Sequence, residues 1–379
     1  MDLGECRKEI DQINNEMLEL FIKRMEISKA VAEYKLENSL PILNHARERD
    51  ILHDMTVKAG EKYGNYVKVL YSVLLDLSRS YQSALMSGST SVSDAITGTL
   101  ESSPKLLPKN TEVACQGTEG AYSQIAADKL FGLEKIKYYK TFEDVFKAVR
   151  DGVCSYGVLP IENSTYGTVV EVYDLMKKYS FQIVRAVRLP IRHALLAPNG
   201  VRLEDIREVI SHPQALGQCG EFFSSHPDIK VTTGVNTALS AEYVAGSGRR
   251  DIAAIASPEC AELYGLTLLS KDIQNAAINT TRFICISKDA CIFPGANKIS
   301  IMLTLPHTPG SLYNTLAKFT AQGLNLTKLE SRPIAGTDFE AQFYFDFEAS
   351  PYDKNVLALL DDLSRDCESF SFLGAYSEN

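Results

Sequence analysis

The pentapeptide Asn279-Thr280-Thr281-Arg282-Phe283 brings an amide, two hydroxyls and a guanidinium to the head of an apolar run, 283–286, that reads as a buried strand. Polar groups fixed at the end of a rigid strand can form an anion site. Alone, the pentapeptide reads more simply as a strand that begins with polar residues. Three further junctions change that balance: Gly117-Thr118-Glu119-Gly120-Ala121-Tyr122-Ser123, Pro160-Ile161-Glu162-Asn163-Ser164-Thr165, and Ser211-His212-Pro213-Gln214 with Gln218. Each taken singly is capping chemistry, for which Asn163, Ser164 and Ser211 are suited. Together, four polar junctions in one α/β unit point to a cleft at strand ends. The glycine loop could offer amides to an anion, but it lacks the G-x-G-x-x-G spacing of a dinucleotide fold. His193 and His212 read as structural.

A second set of candidates lies in the first 86 residues. Ile10, Ile13, Met17, Leu20, Ile27, Val31 and Tyr34 step by threes and fours, the seam of one long helix spanning about 4–36, and Arg24 stands on that seam. Such a helix is roughly 50 Å long at about 1.5 Å per residue, too long for two short helices of the same chain to cover, so a second copy is expected. A buried, unpaired guanidinium costs several kcal/mol, so Arg24 calls for an anion. Lys35 falls within about 20° of the same face, at about 100° per residue, whereas Arg7 lies about 100° away and suits a different pocket. Pro41 ends the helix. Asn44 can cap a second helix with Arg47 and Glu48 in its first turn, and a third, 66–85, sets Ser78 and Gln82 on one face.

The chain has 379 residues, enough for two or three domains. A net charge of -9 argues against nucleic acid or an anionic membrane as the main partner. The charged start lacks a signal-like apolar region, and no run approaches 18 apolar residues, so a cytoplasmic protein is expected. Eight cysteines without a C-x-x-C pair read as reduced thiols; no metal or cofactor is called for.

Residues 87–110 are rich in Ser, Thr, Gly and Pro and read as a linker. From 111 to 287, short apolar runs alternate with amphipathic windows, the pattern of an α/β domain with mostly parallel strands. Residues 298–376 read β-α-β-β-α-β: strands at 298–305, 325–333, 339–347 and 369–376, with helices at 310–322 and 355–363. In the third of these strands Phe339, Ala341, Phe343, Phe345 and Phe347 alternate with Glu340, Gln342, Tyr344 and Asp346, as a strand with one buried face requires. The layout is ferredoxin-like.

These residues carry three resemblances. Arg7, Arg24, Lys35, Arg47, Glu48, Ser78 and Gln82 fall at the spacings of the all-helical chorismate mutase, which residues 3–86 resemble. The resemblance implies an intertwined helical dimer in which Arg7 reaches the partner copy's pocket. It assigns the substrate carboxylates to Arg7, Arg24, Arg47 and Ser78, the ring hydroxyl to Glu48, and the ether oxygen to Lys35 and Gln82. Asn44 stands where that family often has Asp. Glu119-Gly120-Ala121-Tyr122-Ser123, Leu159-Pro160-Ile161-Glu162-Asn163-Ser164, Ser211-His212-Pro213-Gln214 and Thr281-Arg282-Phe283 occur in the order of prephenate dehydratase over 111–287. That implies a two-lobed domain of the periplasmic-binding-protein type, with Thr281 as the essential hydroxyl and Glu162, Asn163, Ser164, Ser211, Gln218 and Arg282 supporting it. Pro309-Gly310-Ser311-Leu312 and Glu330-Ser331-Arg332-Pro333 resemble the phenylalanine motifs of the ACT regulatory domain. They imply an effector site at Gly310, Ser311, Leu312, Asn325, Glu330, Ser331 and Arg332, with Ser311 replacing the usual Ala.

The expected architecture is therefore multidomain: a helical mutase domain at 1–86, a linker at 87–110, an α/β dehydratase domain at 111–287 and an α+β ACT domain at 298–379. The expected protein converts chorismate to prephenate and prephenate to phenylpyruvate, is inhibited by L-phenylalanine, and forms a homodimer or higher homo-oligomer. Two alternatives stand beside it. One is an amino-acid-sensing regulator, which would need a DNA-reading helix where the first helix carries its cations on an apolar seam. The other is a mutase with a non-catalytic middle domain.

Overall fold

The computed structural model describes residues 2–86, 92–108, 110–132, 134–276, 278–334 and 341–378. They form two compact units, one of residues 1–98 with 301–371, the other of residues 99–300 with 372–379.

In the first unit α1 (Leu3–Glu37) opens on a capping box between Asp2 and Glu5, which satisfies two of the amides that a helix start leaves bare. Pro41 prevents its continuation, and the Asn44 side chain accepts from the Arg47 amide at 3.0 Å to start α2 (His45–Met86). The second and third helices expected from the sequence meet at a kink at Gly60, whose φ of 70° a residue with a β-carbon rarely adopts, and α2 is this kinked pair. Against α2 the first helix sets Arg24, Ser28, Ala32 and Lys35, of which Ser28 and Ala32 are buried. Its apolar seam lies elsewhere: Leu20 is 67% exposed, and Ile27 and Tyr34 each 61%. Arg24 thus belongs to a polar stripe facing α2, not to the seam, a separation of less than one turn that spacing alone did not resolve. The segment read as a linker carries a helix, α3 (Val92–Ser102), with Ile96 buried.

In the second unit two sheets share the chain. The first is built from β1 (Glu112–Gln116), α4 (Tyr122–Phe131), β2 (Lys135–Tyr139), α5 (Phe142–Arg150), β3 (Tyr156–Asn163), the short β4 (Gly167–Thr168), α6 (Val170–Tyr179) and β5 (Gln182–Pro190). The second holds β6 (Ala194–Ala197), β7 (Glu208–Ser211), α7 (Pro213–Gln218), α8 (Gly220–Ser225), β8 (Lys230–Thr233), α9 (Thr237–Gly246), β9 (Ile252–Ala256), α10 (Glu259–Tyr264) and β10 (Thr267–Ser270). β11 (Thr280–Ser287) then returns to the first sheet, giving strand orders β2-β1-β3-β11-β5 and β10-β6-β9-β7-β8, with β4 beside β3. The sheets are mixed, not mostly parallel. β1 pairs in parallel with β2 and β3, but β11 is antiparallel to both β3 and β5, because the chain crosses between lobes twice and must return. Each sheet packs apolar side chains against its helices: Phe283 and Val158 meet Ala126 and Ala127, and Ala254 and Ile252 meet Ala241 and Val244.

A third sheet follows, ordered β13-β14-β12-β15, from β12 (Lys298–Thr304), α11 (Ser311–Ala321), β13 (Asn325–Pro333), β14 (Ala341–Glu348), α12 (Lys354–Asp366) and β15 (Ser369–Tyr376). The ferredoxin-like order is as expected, and the alternating face is apolar, with Phe319 of α11 at 5.5 Å from Phe345 and 5.1 Å from Phe347 between ring centroids. Gln342, Tyr344 and Asp346 on the other face are buried too, so β14 is covered on both sides and not on one as expected. Phe339 and Glu340 lie outside the described residues.

Candidate active sites

The C-terminal ends of β1 and β3 in one lobe and of β7 and β9 in the other are the usual ligand positions in such sheets. The glycine loop after β1 reaches from one lobe to the other. Gly120 has φ of 83°, and a β-carbon there would stand 2.9 Å from Cys260 Sγ, so only glycine lets this loop meet α10. Tyr264 Oη donates to Glu119 O at 2.7 Å and Ser257 Oγ to Gly120 O at 3.4 Å, tying one lobe to the other.

At the crossover, Ile191 N donates to Asn279 O at 2.7 Å, which leads directly into β11. Thr281 pairs with Asn163 across the antiparallel ladder, and paired residues share a face. Asn163 Nδ2 donates to Thr281 Oγ1 and to Asn279 Oδ1, each at 2.8 Å. Its Oδ1 accepts from the Thr165 and Tyr166 amides, both at 2.9 Å, so the amide is fixed end to end. Thr281, which is buried, therefore receives a hydrogen bond at its oxygen, and its own hydroxyl proton is left to donate. Beside the crossover lies a cavity of about 530 Å³, lined by Ile191, Arg192, Gln274, Asn279 and Thr280 among others.

Not every residue expected here joins Thr281. Arg282 and Glu162 are a ladder pair one residue on, so both point to the opposite face of the sheet. There Arg282 lies 2.6 Å from Glu378 and 3.9 Å from Glu162, and it also donates to the Tyr376 hydroxyl. Ser164 Oγ accepts from the Thr280 amide at 2.9 Å, a loop-fixing role. Ser211 Oγ donates to Ile255 O at 2.6 Å, and Gln218 Oε1 meets His193 Nε2 at 2.5 Å. Burial lowers the His193 pKa, keeping the ring neutral, while His212 caps α7 through Nδ1 at 3.2 Å from the Gln214 amide. Asn279 was in the first motif, and its part as acceptor follows from its period-two relation to Thr281.

The helical hairpin holds a second cluster. Arg24 Nη1 donates to Leu74 O at 2.9 Å and to the Ser78 hydroxyl, and Lys35 Nζ to Gln82 Oε1 at 3.0 Å and Ile42 O at 2.6 Å. Burial lowers the pKa of both cations; for Lys35 the field of Glu48 opposes it. Both Glu48 oxygens lie 2.5 Å from Arg79 Nη1, a contact that sequence reasoning missed although Arg79 sits three residues before Gln82 and so shares its side of α2. Arg7 and Arg47 are exposed and stand outside this cluster in the single chain.

Around Gly310, which starts α11 with φ of 93°, a cavity of about 410 Å³ is lined by Ser311, Leu312, the 305–309 loop, Ala341 and Phe343. Ser331 pairs with Phe343 and so shares that face, whereas Glu330 and Arg332 pair with Tyr344 and Gln342 on the other; Asn325 stands at the far end of β13, 3.5 Å from Glu348. The cavity thus gathers part of the expected effector set.

A cationic helical hairpin and a two-lobed α/β unit with a buried hydroxyl define an enzyme with two separate centres. Residues 6–83 match the family model for chorismate mutase type II, and residues 113–291 that for prephenate dehydratase. The bifunctional chorismate mutase/prephenate dehydratase of Enterobacter agglomerans is 30% identical over 386 residues, covering 98% of this chain and 95% of that one. Arogenate dehydratase/prephenate dehydratase 2 of Arabidopsis thaliana, a chloroplastic protein, is 38% identical over 276 residues, 70% of this chain and 72% of its own. Among solved structures, prephenate dehydratase from Arthrobacter aurescens in complex with L-Phe matches with a TM-score of 0.64 and 30% identity, covering 70% of this chain and 89% of that one. The chain belongs to the bifunctional chorismate mutase/prephenate dehydratase family.

Proposed function

We propose that the chain carries out two successive steps toward L-phenylalanine: chorismate to prephenate in the helical hairpin, then prephenate to phenylpyruvate in the two-lobed unit. The observation that carries this reading is the presence of both family matches in one chain, each over a cluster of the required chemistry.

The first step is a pericyclic rearrangement and needs no nucleophile. Catalysis consists of holding the reactive conformer and stabilising negative charge on the breaking ether oxygen. Lys35 and Gln82 serve that oxygen, Arg24 and Ser78 a carboxylate, and Glu48, held by Arg79, the ring hydroxyl. Arg47 is exposed beside this cluster, and Arg7 comes from a second copy whose seam covers Leu20, Ile27 and Tyr34, so the working form is a homodimer or a larger assembly.

The second step removes carbon dioxide and the ring hydroxyl, with aromatisation as the driving force. The C–COO⁻ bond breaks, its electron pair enters the ring, and hydroxide leaves with a proton as water. Thr281 donates its hydrogen bond to the departing oxygen, with Asn163 fixing its orientation. A threonine hydroxyl is too weak an acid to supply the proton alone, so it polarises the leaving group. In this reading Glu162 and Arg282 support the site from behind the sheet, and Ser164, Ser211 and Gln218 hold its walls.

The third sheet is read as an ACT domain that binds L-phenylalanine at the cavity beside Gly310, where α11 turns its amides toward a carboxylate. The relative solved with L-Phe supports this assignment. The eight free thiols accord with a reducing cytoplasm. Chromatography of products from chorismate alone tests the whole reading: phenylpyruvate is expected, and accumulation of prephenate would remove the second activity. Parallel assays on prephenate and arogenate decide which the second centre takes, a question the 38% identical relative raises by its name.

A further inference from the structure

The back face of β11 holds an ionic cluster that the two reactions leave unexplained. Glu378 lies 2.6 Å from Arg282 Nε, 2.8 Å from Lys298 Nζ and 2.7 Å from Arg188 Nη2. The side chains of Arg282, Lys298 and Glu378 are only 6%, 5% and 11% exposed. Three cations around one carboxylate would repel one another if it were absent, and buried charge without a partner is strongly destabilising. Glu162, farther away at 3.9 Å and 36% exposed, is the weaker partner of Arg282.

The segment that brings Glu378 there is built in. Ala186 N on the edge strand β5 donates to Ser377 O at 3.0 Å, and Ala186 and Glu378 form a parallel bridge. The Tyr376 hydroxyl bonds Ser300 Oγ at 2.7 Å and accepts from Arg282.

What this cluster grips is the weak point of the ladder behind Thr281. The β3–β11 register shifts between Arg282, opposite Glu162, and Phe283, opposite Pro160. A bulge interrupts the hydrogen-bond ladder and re-aims the side chains beside it, and Pro160 has no amide to donate. On the β3 side the ladder is therefore interrupted beside 281–282, while β5 holds residues 280–285 in unbroken register on the other side and Arg282 is pinned from behind.

We propose that Glu378 is a positioning residue of the dehydratase centre: by clamping Arg282 behind the bulge it sets the angle at which Thr281 meets Asn163 and the substrate. This rests on the dehydratase reading above. The test uses the full bifunctional chain with E378Q, E378D and E378A. Small misplacements of reacting groups are costly, so E378Q should lower kcat on prephenate by about 10- to 100-fold with little change in KM. E378D should recover part of that loss, and mutase turnover on chorismate in the same samples should be unchanged. Parental kcat in both E378Q and E378A overturns the proposal, as does a rise in KM at unchanged kcat. A proportional fall in both activities also overturns it, since that is loss of fold. A wild-type chain that makes no phenylpyruvate from prephenate refutes the dehydratase reading itself, a result distinguishable before any variant is made.

Discussion

The two centres solve the same problem, an anionic substrate and a departing oxygen, with opposite constructions. The helical one reaches in with long cationic side chains, and two residues proposed to complete it, Arg7 and Arg47, remain exposed in the single chain. The α/β one uses short side chains on adjacent strands, Asn163 and Thr281, both buried and already bonded to each other. In the proposed reading one site is completed by association, the other by register. Substitutions should therefore separate them cleanly, because each activity is a folding control for the other.

The largest expected effects are the paired losses at the two oxygen-stabilising groups. Removing one such donor typically costs about 10²- to 10³-fold in kcat, roughly 2.7–4 kcal/mol. Lys35→Ala should do this to prephenate formation while phenylpyruvate formation from added prephenate is kept. Thr281→Ala should do the reverse, and Thr281→Ser, which retains the hydroxyl, should keep most of the dehydratase rate. Steady-state assays on the two substrates check both. Equal damage to both activities in either variant would end the picture of separate centres.

A smaller effect should follow from breaking the seam. Ile27 is 61% exposed in the single chain and makes no part of the Arg24 cluster, so Ile27→Glu should be tolerated by the isolated fold. In an intertwined dimer it places a carboxylate in an apolar interface. Light scattering should show a shift toward monomer, with mutase activity falling about 10-fold or more if Arg7 comes from the other copy, a loss of positioning comparable to a misplaced catalytic group. The dehydratase centre, built within one chain, should lose far less.

The same contrast governs what could be read in advance. Helical spacing set Lys35 near the face of Arg24 and Ser78 on one face with Gln82, the resemblance to chorismate mutase joined the two pairs, and the structure bonds Arg24 to Ser78 and Lys35 to Gln82. In the α/β unit the motifs were legible, but Thr281 and Arg282 were assigned to one site although neighbours in a strand face opposite ways. The remote partner is what local sequence cannot supply: nothing near Arg282 announces Glu378. The mixed pairing of β5 and β11 escaped for a related reason, since it follows from the chain crossing lobes twice, not from either strand's pattern. The helix at Val92–Ser102 was hidden by Ser and Thr, residues whose side chains compete for backbone hydrogen bonds and whose abundance reads as a linker.

The smallest expected effect concerns pH, and it separates the regions by sign. In the second lobe, hydrogen bonds from Thr232 and Arg249 pull the Glu208 pKa from 4.5 to about 2, with Lys230 adding its charge. A carboxyl depressed in the fold contributes stability that is complete above its unfolded value and is lost as pH falls through the folded one. The window is therefore about pH 4.5 down to about 2. Glu208→Gln should flatten the acid dependence of unfolding there, followed by tyrosine fluorescence, since the chain has no Trp. Lys35 acts on the alkaline side and on rate: its pKa is lowered by burial, so the protonated donor disappears at a lower pH than for an ordinary lysine. Mutase kcat should accordingly fall on the alkaline side before dehydratase kcat does. An alkaline limb shared by both activities would show that one titrating group serves the whole chain, and the two constructions would not be independent.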